Sequence, residues 1–114
     1  MLNNQLLVDS RRDLVPLELL FLIKKGYNTG YTLKKAYEEY FGISVSFGTI
    51  YPLLHSLHKG GFLNRKISSG RAKSYYSLTR QGQKALERNV SFVRTFSKAL
   101  SHPNQRKIVA VQYS

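Results

Sequence analysis

From Leu14 onward, apolar stretches at helical spacing alternate with short breaks of Gly, Asn and Thr. Leu14, Val15, Leu17, Leu19, Leu20, Phe21, Leu22 and Ile23 would make a helix apolar on nearly every side, which predicts a buried central element. Asp13 and Pro16 suit its first turn, Lys24 and Lys25 its last, and Gly26 its stop. A second helix is predicted from about Tyr31 or Thr32 to Phe41, with Leu33, Ala36, Tyr37, Tyr40 and Phe41 on its apolar side and Gly42 ending it. Ser46 reads as the N-cap of a third helix reaching about Lys59. Ile50, Leu53, Leu54 and Leu57 recur at i, i+3, i+4 and i+7 and define its buried face, and Gly60-Gly61 closes it.

The period then changes. Phe62 to Ile67 and Lys73 to Leu78 read as two strands joined by Ser68, Ser69, Gly70, Arg71 and Ala72, a hairpin with a basic tip. Thr79 is placed to cap a last long helix through about Leu100, since His102 before Pro103 is disfavoured in the helical region. Residues 1–13 read as an N-terminal arm or a short helix. The tail, 102–114, contains Ile108, Val109, Ala110 and Val111, which would pair as an edge strand, pack on the body or stay loose. The order α-α-α-β-β-α is that of a winged helix-turn-helix, mostly α with one small β-hairpin. On this pattern, 14–79 is the winged helix-turn-helix unit and 80–101 a dimerisation helix.

Composition narrows the class. A chain of 114 residues is one domain by size, and 42% hydrophobic residues supply a core. There is no cysteine, which excludes a disulfide framework and thiolate zinc sites. The run Leu14 to Ile23 is too short to span a bilayer and contains Glu18, so a cytoplasmic protein without a membrane role is expected. Eighteen Lys and Arg against six Asp and Glu give a net charge of +12, unevenly placed. Residues 46–114 carry twelve basic side chains and one acid, Glu87. So one-sided a field calls for a polyanion, nucleic acid in the first place and an anionic membrane surface as the competitor.

Opposite the buried leucines of the third helix lie Gly48, Tyr51, Pro52, His55 and Lys59, with Thr49 and Ser56 at the borders. Small, hydroxyl and imidazole groups on such a face suit base-edge and phosphate contacts in a major groove. An exposed Tyr51 is costly unless it touches something. Pro52 breaks the usual rule for a helix interior, but the residue four back is Gly48, the least crowded neighbour available. The hairpin adds Arg65, Lys66, Arg71 and Lys73, suited to phosphates or a minor groove. Lys34, Lys35, Arg80 and Lys84 are weaker phosphate candidates, and Glu38 and Glu39 would neutralise the first two. His55 and His58, three apart, lack a third ligand, so no metal or other cofactor is expected, and His58 reads as a packed residue. No nucleophile, base and orienting group stand together, so the chain does not read as an enzyme. On the last helix Leu86, Val90, Val93, Phe96 and Leu100, with Phe92 beside them, form more apolar face than so small a body covers, which predicts a homodimer.

The run from Ser46 to Leu57 (Ser46-Phe47-Gly48-Thr49-Ile50-Tyr51-Pro52-Leu53-Leu54-His55-Ser56-Leu57) resembles the recognition helix of PadR-type transcriptional regulators. Gly60-Gly61-Phe62-Leu63 is similar to that family's approach to the wing, and Gly70 to Gly82 to its wing and fourth-helix start. Gly30-Tyr31-Thr32-Leu33 resembles the start of its second helix. The resemblance implies a dimeric repressor on a roughly palindromic operator, often released by a small aromatic compound or a stress signal. The leading expectation is sequence-specific repression or autoregulation in a prokaryotic or viral cytoplasm, at the nucleoid. It places Ser46, Thr49, Tyr51, Pro52 and His55 in or beside the major groove of double-stranded DNA, Arg71 and Lys73 on the wing, and Tyr75 in packing or backbone contact. Thr29 stands where the family often has histidine, and Ser74 where a base is frequent. The alternatives to sequence-specific regulation are a sequence-tolerant, chromatin-like architectural protein and a protein–protein interaction module.

Overall fold

A computed structural model describes the backbone of residues 2–70 and 73–101 and the side chains of 14–70 and 73–101. Its elements are α1 (Leu2–Lys25), α2 (Gly30–Phe41), α3 (Phe47–Lys59), β1 (Leu63–Ile67), β2 (Ser74–Leu78) and α4 (Arg80–Ser101). The order is the one the periodicity predicts. The start of α1 is not: the helix begins at Leu2, and Pro16 lies well inside it rather than in a first turn. Proline already holds the helical φ, so the helix loses one backbone bond and tolerates some crowding. The next turns anchor it, with Val15, Leu19, Leu20, Leu22 and Ile23 all buried.

Glycines end these helices as expected. Gly26 adopts φ 116°, its N–H donates to the Ile23 carbonyl and that of Tyr27 to Leu22, the paired bonds of a Schellman stop. The same pair closes α3, with Gly61 at φ 88° donating to His58 and Phe62 to Leu57. At the head of α2, Thr29 Oγ1 accepts from the Thr32 N–H at 3.1 Å while Thr32 Oγ1 accepts from the Thr29 N–H at 3.1 Å. This reciprocal cap shows what a threonine does at the position where the resemblance anticipates histidine.

Leu19, Leu22, Leu33, Tyr37, Ile50 and Leu54 are fully buried; α2, α4 and β2 pack against α1, while α3 packs on α2 and β1. On α3, Ile50 and Leu54 are buried and Leu53 and Leu57 half-buried, as the spacing indicated. Tyr40, expected on the core side of α2, is instead exposed and meets Phe21 and Tyr27 edge-on, each ring centre 6.0 Å away. Leu86, expected at a dimer interface, is a core residue at 5% exposure.

The hairpin is antiparallel, pairing Leu63 with Leu78 through Ile67 with Ser74. β1 starts one residue later than predicted because the Phe62 N–H is already spent on closing α3. The open edge of β2 is not left bare: the Tyr76 N–H donates to the Asn28 carbonyl at 2.8 Å, docking the α1–α2 loop on the hairpin. Thr79 caps α4 as predicted, accepting from the Gly82 N–H at 3.0 Å while its own hydroxyl donates to the Gly61 carbonyl at 2.6 Å. Gly82 lies so close to the Phe62 carbonyl that a Cβ there would overlap it.

Candidate nucleic-acid interface

The face of α3 opposite Ile50 and Leu54 is open. Gly48, Thr49, Tyr51, Pro52, His55, Ser56 and Lys59 are all exposed, and His58, on the flank, is half-buried. Pro52 does not break the helix. A Cβ at Gly48 would meet only the Ser46 hydroxyl, at 3.6 Å, so the turn that Pro52 crowds has space. Ser46 occupies the N-cap position with extended backbone, but its hydroxyl makes no capping bond. It lies 3.4 Å from the Thr49 hydroxyl, and both are exposed at the head of the helix.

Tyr51 is held on two sides. Its ring covers Gly30 at the start of α2 so closely that a Cβ there would stand 2.5 Å from Cε1. It also stacks on Phe47, one turn earlier, with centroids 5.7 Å apart and planes inclined by 25°. The Lys34 ammonium lies 5.6 Å from the centre of the Phe47 ring. Phe47 and Gly30 fall within the family-like motifs of the sequence but not among its expected contact residues. The i, i+4 spacing of Phe47 and Tyr51 was the available signal, and the Gly30 contact crosses between helices and leaves none.

Lys34 is committed in the free protein. Its ammonium pairs with Glu38 at 2.8 Å, and Glu38 also accepts from the Ser44 hydroxyl at 2.8 Å. The Lys34 ammonium first, and then the Ser44 hydroxyl, hold the Glu38 carboxyl below the ordinary glutamate range. Lys35 is exposed on the adjoining surface.

On the hairpin, Arg65 and Lys66 are exposed and point to opposite faces, because successive strand residues alternate. Arg65 donates through Nε to the Ser74 hydroxyl at 2.9 Å, which gives the serine at that position a partner on the wing itself. Lys66 lies across from Tyr75, which is 37% exposed, and Lys73 is exposed at the start of the returning segment. Arg71, expected at the tip, lies outside the described residues, as do Ala72 and the tail 102–114. Arg80 and Lys84 are exposed on the first turns of α4.

The apolar stripe of α4 divides in two. Leu86 and half-buried Val90 serve the core, while Phe92, Val93, Phe96 and Leu100 face solvent at 70%, 45%, 58% and 72% exposure. Beside this stretch runs an apolar groove of about 500 Å³, floored by Leu17, Phe21, Phe41, Val90 and Val93. Glu18, Arg94 and Lys98 give it a charged rim, and the Tyr37 hydroxyl donates to Glu18 at 2.5 Å. Among the described residues, no helix is long and apolar enough to cross a membrane.

Comparison with solved structures returns the same architecture. A transcriptional regulator from Clostridium thermocellum superposes with a TM-score of 0.72 at 21% identity, covering 81% of this chain and 91% of that one. RosR of H. salinarum gives 0.63 at 24% identity, covering 86% of each chain. Bacillus subtilis PadR in complex with operator DNA gives 0.57 at 28% identity, over 67% of this chain and 46% of that one. Curated proteins yield no significant match. The model of the transcriptional regulator PadR-like family matches residues 19–88, from the last two turns of α1 to the third turn of α4 and more than half of the chain. The chain belongs to the PadR-like family of transcriptional regulators.

Proposed function

We propose that this regulator is a repressor that binds a roughly palindromic operator in double-stranded DNA as a homodimer. The observation that carries the proposal is the open face of α3, where Thr49, Tyr51, Pro52, His55 and Lys59 stand together over a filled core and beside a basic hairpin. In this arrangement α3 enters the major groove, with Ser46, Thr49, Tyr51 and His55 at base edges or the adjoining phosphates. Lys34, Lys35, Arg65, Lys66, Arg71 and Lys73 follow the backbone, with Tyr75 beside them. The setting is the nucleoid of a prokaryotic or viral cytoplasm, and no catalysis is involved.

The dimer forms through Phe92, Val93, Phe96 and Leu100, whose exposure on a projecting helix is otherwise unfavourable. Two recognition helices then sit about 34 Å apart, one duplex turn. A small aromatic effector, which the family resemblance implies, has a place in the groove between α1 and α4, where apolar walls meet the Arg94 and Lys98 cations.

The test is binding to duplexes selected from a random pool, against scrambled duplexes, over a salt series. With six to ten phosphates neutralised, affinity falls roughly 10³–10⁵-fold between 50 and 200 mM salt, and the selected duplex retains a preference throughout. Equal binding of all duplexes at physiological salt refutes operator recognition and leaves a sequence-tolerant architectural role. No binding even at low salt leaves a protein–protein module. Light scattering at micromolar concentration reads twice the chain mass, and Phe92→Ser with Phe96→Ser reads one; a wild-type monomer refutes the dimer.

A further inference from the structure

We propose that Phe47 is a specificity determinant of this regulator, its ring packing against the 5-methyl group of a thymine in the major groove. The inference rests on α3 being the helix that reads DNA.

Phe47 is the first residue of α3, in the turn that meets base edges when a recognition helix enters the groove end-on. Phe47 is 39% exposed, and its ring cannot retreat inward, because Ile50 and Leu54 already fill the space beneath the helix at zero exposure. A phenyl ring has no hydrogen-bonding atom, so it cannot answer the donor and acceptor pattern of the bases. The apolar group that the four bases offer in the major groove is the thymine methyl.

The ring is also held in place before any DNA arrives. Tyr51 stacks on it at 5.7 Å, and Tyr51 is in turn backed by Gly30. The Lys34 ammonium lies 5.6 Å from the ring centre and is itself fixed by Glu38 at 2.8 Å. A ring so braced loses little freedom on binding, so most of the gain from covering a methyl is kept. Covering one methyl is worth about fourfold in affinity at each half-site, and about fifteenfold when both half-sites of a dimer are counted.

The experiment uses the full chain and the duplex it enriches from a randomised pool. Each thymine of that duplex is replaced in turn by deoxyuridine, which removes the methyl and nothing else. Wild-type protein loses about fourfold at one thymine per half-site, and about fifteenfold when the symmetry-related pair is replaced. Phe47→Ala binds the thymine duplex more weakly and no longer distinguishes thymine from deoxyuridine at that position, whereas Phe47→Leu retains part of the difference. If wild type is indifferent to every substitution, or if Phe47→Ala keeps the full thymine preference, Phe47 only braces Tyr51 and the proposal is wrong. If wild type enriches no sequence, operator reading by α3 fails and the inference falls with it; that failure appears before any substitution is made. The deoxyuridine arm uses unaltered protein, so a variant that folds poorly cannot hide the answer.

Discussion

Substituting Gly30 with alanine separates the packing role of Tyr51 from its proposed role at the DNA. The new Cβ would stand 2.5 Å from Cε1 and Cζ of Tyr51 and 2.6 Å from its hydroxyl oxygen. Ordinary contact begins near 3.4 Å, so the ring must retreat by roughly 0.9 Å or swing to another rotamer. It is free to move outward, being 49% exposed, and the move loosens its stack on Phe47. That stack is worth about 0.5–1.5 kcal/mol. Stiffening the unfolded chain by Gly→Ala returns about 0.4–1 kcal/mol, so the net loss of stability is at most about 1 kcal/mol. The melting temperature therefore falls by less than about 6 °C. DNA affinity is hit harder, because the displaced ring stands in the space that the groove edge needs. A fall of at least about tenfold on the selected duplex is expected, equivalent to one good base contact. Gly26→Ala is the control: it is strained at φ 116° with nothing within 4 Å, so it loses about 1 kcal/mol while the folded protein binds normally. Thermal melts and fluorescence anisotropy read both quantities. Gly30→Ala binding within twofold of wild type would refute the placement of Tyr51 at the DNA.

Gly82→Ala drives a methyl into the Phe62 carbonyl and disturbs the bond that carbonyl accepts from the Thr79 N–H. A loss of about 2–4 kcal/mol in urea unfolding is expected, and a loss under 0.5 kcal/mol would mean that α4 shifts without cost. Glu38, with its folded value lowered by Lys34 and Ser44, adds stability that is complete above the ordinary glutamate range and is lost as pH falls through the lowered value. Carboxyl NMR shows this directly, and Lys34→Met must raise the midpoint; an unmoved midpoint contradicts the assignment. Lys66→Ala and Lys73→Ala each reduce the slope of log affinity against log salt by about 0.9 and weaken all duplexes alike. A loss confined to the selected duplex would make either residue a base reader.

The periodic elements were legible because burial writes itself into spacing. Ile50, Leu53, Leu54 and Leu57 mark the inner side of α3, and what they leave over marks the candidate DNA face. Thr79 and the glycines at 26, 42 and 61 were readable as caps and stops because few residues satisfy those backbone positions. The start of α1 was not, since proline is favoured in a first turn and disfavoured in an interior, so Pro16 pointed to a helix start where the helix in fact runs through it. Nor was the fate of Leu86, because a stripe of constant period carries no mark of where the body beneath it ends. Backbone contacts between distant segments left no trace at all, as with Asn28 on Tyr76. For the site, residue types gave the face and the charge, while the bracing of Tyr51 by Gly30 needed two helices to be brought together first.

The last turn of α3 and the first turn of α4 are fastened to each other. Gly61 accepts from the Thr79 hydroxyl, Phe62 from the Thr79 N–H, Gly60 from the Gln81 amide at 3.3 Å, and Gly82 leaves no slack between them. They therefore turn as one rigid elbow, with α3 at one end and a 22-residue arm at the other. That arm is about 33 Å long. In the proposed dimer, joined at its far half, a change of 5° in the angle between the two arms changes the separation of the two recognition helices by about 3 Å, close to the 3.4 Å step between base pairs. If this dimer forms, the half-site spacing it can reach is set by an angle far from the DNA, and a wedge at the arms would throw the reading heads out of register without touching either of them.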